Sequence, residues 1–227
     1  MSGADLRGIL LSFAYVLFAL AAADLLRRYG RVPVAATRKI VHIAVGMWVF
    51  PTLLLFEHWT WALLPPLAFA VLNALSLRFR FFTAIEVAER TLGTVLFPLS
   101  FALLLGLFWP LGRPEVAAAG LMAMTWGDAM ASIVGETFGR RGYLVWGQRK
   151  TWLGSVACFS WTTLAVTLTL RLLGWYDAPL ALLHAALAGL VATVAEALSP
   201  KGADNLFVPL ATAGGLHLLS MFVPTMI

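Results

Sequence analysis

Apolar blocks of about twenty residues recur along the whole chain, with short polar segments between them. A block that long reaches across the roughly 30 Å hydrocarbon core of a bilayer as one helix. The chain is 61% hydrophobic and 12% charged, whereas a soluble domain runs near half apolar and about a quarter charged. These blocks predict an all-α fold: a polytopic integral membrane helical bundle, one domain over residues 1–227. Eight candidate spans cover residues 6–26, 40–56, 59–77, 91–109, 116–138, 152–174, 180–198 and 205–224, so seven to eight crossings are expected. Pro65-Pro66 is expected to kink or split the third. The stretch 79–90 mixes Arg80, Glu86, Glu89 and Arg90 with Phe81, Phe82, Ile85 and Val87, which suits a short helix lying in the interface.

The first block is not a signal peptide, although Ala19-Leu20-Ala21 resembles a cleavage site. Asp5 and Arg7 precede it, and the basic cluster Arg27, Arg28 and Arg31 follows it, the reverse of a signal peptide. Cys158 is the one cysteine, so no intrachain disulfide forms, and its place inside an apolar span reads as packing.

The net charge of +5 is no nucleic-acid signal; what matters is its placement. Alternate loops hold thirteen of the sixteen Lys and Arg residues, from Arg27 through Lys201, while Arg7, Arg113 and Arg171 fall on the other side. By the positive-inside rule both termini lie outside and the basic loops lie in the cytoplasm, the inner membrane being the location in a bacterial cell. The even number of crossings agrees with that alternation.

All clusters with chemical potential fall on the basic side. Arg38, Lys39 and His42 open the second span, with Arg38 and His42 one turn apart on one face. They read as a phosphate or headgroup clamp, or as a topogenic anchor with an interfacial histidine. In the fifth span Asp128, Ser132, Gly135 and Gly139 share a helix face. Small residues at that spacing mean close helix packing, which explains the glycines but not a carboxylate in an apolar span. Asp128, preceded by Gly127, reads as a Mg²⁺ ligand beside nucleotide phosphates. Glu136 reads as interfacial.

Arg140, Arg141, Arg149 and Lys150 follow in a Gly-rich stretch. Gly142-x4-Gly147 fails as a P-loop, because Lys150 comes three residues after the second glycine. Lys150 and Thr151 still open the sixth span, where free N–H groups favour an anion. Thr151 also suits a helix cap, and Gly154 and Ser155 permit close approach of a ligand. Glu196, Asp204 and Asn205 complete the set. With Asp128 they offer oxygen ligands for a hard cation from three spans, although Asp204 alone would also serve as an N-cap. His184 and His217 read as structural.

The order of these motifs resembles the polyprenol kinase family. Arg38-Lys39-x-x-His42 comes first, then Gly127-Asp128-x-x-Ala131-x-x-x-Gly135, then Arg149-Lys150-Thr151-Trp152-x-Gly154-Ser155, then Glu196 and Asp204-Asn205-x-x-Val208-Pro209-Leu210-Ala211-Thr212. That family includes dolichol kinase, CTP-dependent diacylglycerol kinase, and phytol and farnesol kinases; the third and fourth motifs are most similar to the phytol kinase branch. The motifs span residues 38 to 212. Where the family often has arginine after the glycine, this chain has Glu136, so Arg140 or Arg141 takes that role or nucleotide preference differs.

The resemblance implies CTP or a related nucleotide as donor, Mg²⁺, and a membrane alcohol (an isoprenoid alcohol or diacylglycerol) as acceptor. Asp128, Lys150 and His42 are then the candidate catalytic residues. Arg38, Lys39, Gly127, Ser132, Gly135, Gly139, Arg140, Arg149, Lys150, Thr151, Gly154 and Ser155 are the nucleotide-binding set. Asp128, Glu196, Asp204 and Asn205 are the metal set. A CDP-lipid-forming cytidylyltransferase would also use acidic and basic motifs at the membrane surface. A transporter or channel would place its charges at mid-membrane, whereas here most lie near the cytoplasmic ends.

Overall fold

Backbone N–H and C=O groups find no partner in hydrocarbon, so each apolar block satisfies its own as a helix. The computed structural model describes residues 1–79, 92–173 and 176–222. α1 (Gly3–Arg28) starts on a capping box, Ser2 Oγ accepting from Asp5 N while the Asp5 carboxylate accepts from Ser2 N. α2 (Val34–Met47) and α3 (Val49–Leu55) meet at Trp48 and act as one rod. α4 (Trp59–Ala62) and α5 (Leu64–Phe79) form the next. The expected disturbance at Pro65-Pro66 is a break at Leu63, which leaves both prolines in the first turn of α5, where a missing N–H costs little.

α6 (Gly93–Phe108) is the short rod, at 16 residues. α7 (Pro114–Met122), a π-helical turn (Ala123–Asp128) and α8 (Ala129–Phe138) make one continuous rod. α9 (Trp152–Leu172), α10 (Ala178–Leu198) and α11 (Asp204–Phe222) complete the bundle. Seven rods are long and apolar enough to cross a membrane, and α6 is the eighth apolar helix among the described residues. The interfacial helix expected over 79–90 lies outside the described residues, apart from Phe79, which ends α5.

Contacts at the two ends show that the rods run in alternating directions. Lys39 meets Ser132, Lys150 meets Glu196 and Asn205 meets Gly93 at one end. Asp5 meets His58 and Phe108 meets His217 at the other.

The α7–α8 rod is the centre. In its most apolar window 72% of the residues are buried inside the protein, against 11% for α1, which faces outward. Ala117, Ala118, Ala119, Leu121, Ala123 and Met124 are fully buried, and the core builds around them. Small residues let neighbours close in. A methyl at Gly120 would stand 2.7 Å from the Pro209 carbonyl of α11, and Gly127 presses on Thr162 of α9.

One segment departs from the all-helical expectation. Residues 139–151 were expected as a basic loop; within them β1 (Gly142–Val145) and β2 (Gln148–Thr151) pair antiparallel, Gly142 opposite Thr151 and Val145 opposite Gln148. Trp146 and Gly147 both have positive φ, 52° and 74°, as a two-residue type I′ turn requires. The conformation is unfavourable for a tryptophan, and the indole N–H offsets this by donating to the Leu198 carbonyl at 2.7 Å. That bond ties the ribbon to the end of α10.

Candidate functional site

The polar residues of five rods and the ribbon converge on one cavity of about 900 Å³. α2 contributes Arg38, Lys39 and His42. Lys39 Nζ donates to Ser132 Oγ at 2.5 Å and to Glu136 Oε1 at 3.1 Å, and Ser132 also donates to Glu136. This joins α2 to α8. His42 Nε2 lies 3.0 Å from the Met124 carbonyl. A carbonyl only accepts, so Nε2 carries the proton there and the neutral ring keeps Nδ1 as its acceptor. The ring also packs on Phe97 of α6, with centroids 4.6 Å apart.

Met124 belongs to the π-helical turn, and Asp128 ends it. Such turns loosen the helical ladder and recur at functional sites. Here the turn supplies the carbonyl that orients His42. Asp128 stands within electrostatic reach of Asp204, Glu196, Lys150 and Lys39. Among the described residues no protein donor hydrogen-bonds its carboxylate.

β2 brings Lys150 into the cavity. Its Nζ donates to Glu196 Oε1 at 2.5 Å and to the Glu196 carbonyl at 3.0 Å. Both side chains are largely buried, 15% and 8% exposed. Burial opposes the charge on Lys150, but Glu196 and then Asp204 favour it, and the balance holds its pKa above the usual lysine value. Thr151 Oγ1 accepts from Gly154 N at 3.1 Å and so caps α9. Ser155 Oγ is shared with the Tyr143 hydroxyl at 2.7 Å.

At the start of α11, Asn205 Nδ2 donates to the Gly93 carbonyl at 3.1 Å. Its Oδ1 is buried with no partner. Asp204 Oδ1 accepts from Asn205 N at 2.9 Å. The cavity therefore holds Asp128, Asp204, an amide oxygen without a donor, and the Glu196–Lys150 pair.

Most of the residues singled out by sequence meet there, including Arg149, Gly135, Gly154 and Ser155. Three do not. Gly127 packs on Thr162, and Gly139 packs on Thr151 and the Gly135 carbonyl. Arg140 is exposed, with its carbonyl accepting from Arg149 Nη2 at 2.8 Å, and does not line the cavity. Conversely Glu136, Gln148, Lys201 and Gly202 line it without having been assigned to the site. Lys201 had been counted only as a topogenic charge; its place beside Asp204 was the available signal.

The donor set fits Mg²⁺, which takes one or two carboxylates and fills its remaining positions with phosphate oxygens and water. Asp128, Asp204, the second carboxylate oxygen of Glu196 and the unpartnered Asn205 Oδ1 are the protein oxygens that face it, Glu196 Oε1 being bonded to Lys150. Tighter clustering occurs only at the far end among the described residues, where Asp5, Glu57 and His58 meet. There Asp5 already accepts from Ser2, Glu57 and His58, so it works as a latch.

Phytol kinase from Synechocystis sp. is 36% identical to this chain over 196 residues, covering 84% of this chain and 82% of the relative. No protein-family model matches the chain. No solved structure matches it.

Proposed function

The chain belongs to the polyprenol and phytol kinase family, and on that premise we propose that it is a CTP-dependent kinase of phytol or a closely related isoprenoid alcohol. Its activity is that of a lipid kinase with an isoprenoid alcohol as acceptor. The observation that carries the finer reading is the cavity itself, where basic side chains from α2 and β2 face carboxylates from α8, α10 and α11.

Phosphoryl transfer needs mainly positioning and charge neutralisation. Arg38, Lys39, Arg149 and Lys150 would hold the donor's phosphates. Glu196 keeps Lys150 charged and aimed. Asp128, Asp204 and Asn205, with the Glu196 oxygen that Lys150 leaves free, would hold Mg²⁺, which when bound would offset the negative charge of the donor's phosphates. The alcohol oxygen bonds to the γ-phosphorus as the bond from that phosphorus to the β–γ bridging oxygen breaks. The nucleoside diphosphate leaves, and the alcohol's proton passes to His42 Nδ1, the ring nitrogen that the Met124 carbonyl leaves free to accept. The cavity faces the cytoplasm in this reading, with both termini outside, and the distribution of Lys and Arg supports it.

The test incubates the purified protein in nanodiscs with labelled CTP, UTP or ATP, against phytol, farnesol, a polyprenol and diacylglycerol. The expected products are phytyl phosphate and CDP. Formation of CDP-lipid with pyrophosphate would make the protein a cytidylyltransferase instead. On the same protein, cysteines introduced over 140–149 should react only with reagents that reach the cytoplasm.

A further inference from the structure

A second cavity, about 460 Å³, lies beside the polar one. Its walls are apolar: Val16 and Leu20 of α1, Val45 of α2, Phe69 of α5, and Phe97 and Phe101 of α6. Arg38, His42 and Asn205 line both cavities, so the two meet at those side chains. From that junction the apolar cavity runs along α6 from Gly93 to Leu105. Twelve residues of helix rise about 18 Å. One leaflet of hydrocarbon is about 15 Å thick, half of a roughly 30 Å core. The cavity therefore follows the depth of a single lipid tail. Thr52 and Ala62, both buried, line its far end, near the latch formed by Asp5 and His58.

We propose that this cavity holds the hydrocarbon chain of the acceptor alcohol, with the hydroxyl at Arg38, His42 and Asn205, and that Ala62 at the far end limits chain length. The proposal rests on the kinase reading for the chemistry at the junction and on the two cavities for the place of the tail. The volume is that of a site for one small ligand, in the range of about 300–1,000 Å³. One isoprenoid chain suits it; two acyl chains or a long polyprenol do not. The charged residues that line it, Asp24, Arg27 and Arg38, sit at the junction end, and Asp24 pairs with Arg27 at 2.7 Å. A chain with a polar group at one end only matches that distribution.

Ala62 lines the far end of the cavity, so a larger side chain there shortens the space for the tail. Ala62→Leu is expected to lower kcat/KM for phytol more than for the shorter farnesol, shifting their ratio by about tenfold. Ala62→Val should shift the ratio in the same direction by less, and serves if the leucine variant does not fold. Val45→Phe, one turn below His42, should impair both alcohols alike. In parallel, a phytol analogue with a photoreactive group at its tail is cross-linked to the wild-type protein without nucleotide, and the labelled peptides are mapped. Labelling of α3, α4 and α6 is expected. Labelling elsewhere, with an unchanged ratio in the Ala62 variants, overturns the cavity assignment and leaves the kinase reading standing. Labelling of the cavity by a protein that phosphorylates no alcohol upholds the cavity and overturns the kinase reading.

Discussion

Asp5 and Asp128 stand toward opposite ends of the bundle, each on a membrane-length helix, and the two ends use them in opposite ways. The Asp5 carboxylate is fully buried and receives Ser2 N, Ser2 Oγ, Glu57 N, His58 N and His58 Nδ1, all within 3.2 Å. Every lone pair is committed, and the group joins the start of α1 to the turn before α4. Asp128 receives no hydrogen bond from the described residues and opens onto the 900 Å³ cavity. A saturated carboxylate is structural; an unsaturated one among basic side chains is available to a ligand.

Asp128→Asn keeps the shape and removes the charge; kcat/KM should fall by about a hundredfold or more while the melting temperature in detergent stays close to wild type. Retention of more than about a tenth of wild-type kcat/KM would place Asp128 with Asp5 as a structural group.

Lys150 is next. Lys150→Gln should cost about 2–4 kcal/mol of transition-state stabilisation, and Lys150→Arg less, because a guanidinium keeps the charge but has a different reach. Three other basic residues, Arg140, Arg141 and Arg149, remain in the segment, so membrane orientation should survive both changes. Near-wild-type kinetics for Lys150→Gln would shift the phosphate role to Arg149.

At the other end the signature reverses. Asp5→Asn should lower the melting temperature by several degrees, since an amide has one accepting oxygen and turns its NH₂ toward donors, yet leave kcat/KM nearly unchanged. A matched loss of activity would mean that the latch and the site are coupled. The smallest effect is expected at Arg140. Its side chain lies outside the cavity, so Arg140→Gln should alter kcat/KM by no more than about twofold. A larger loss would restore the assignment made from sequence.

The bundle was legible because hydrocarbon imposes one rule on every span, and block length alone reports it. The expectation at Pro65-Pro66 held because a missing N–H has few places to go. The break at Trp48 had no such marker. Neither did the π-helical turn over Ala123–Asp128, because a change from i→i+4 to i→i+5 bonding has no residue signature of its own. The ribbon escaped because its strands are four residues each, too short for alternation to register. At the site, residue type and end of the bundle were readable from sequence. Rotation about the axis was not: Gly127 precedes Asp128 by one residue, about 100° around the helix, and faces α9 instead of the cavity. Nor could sequence show that Glu196 would be paired to Lys150, because that depends on how the ribbon folds back over α10.

The rod through Pro114–Phe138 is the least apolar of the seven long helices, and the one most enclosed by protein. Those two facts bear on biogenesis. A segment of small residues with a carboxylate partitions weakly into lipid by itself. Much of its surroundings is supplied by chain made afterwards, Gly127 seating on α9 and Gly120 on α11, although α2 and α6 precede it. The helix at the heart of the protein is therefore retained in the membrane in part by helices still to be synthesised when it leaves the ribosome. A nascent chain halted before α9 lacks the α9 and α11 contacts of that helix, which leaves its carboxylate and small residues open to lipid.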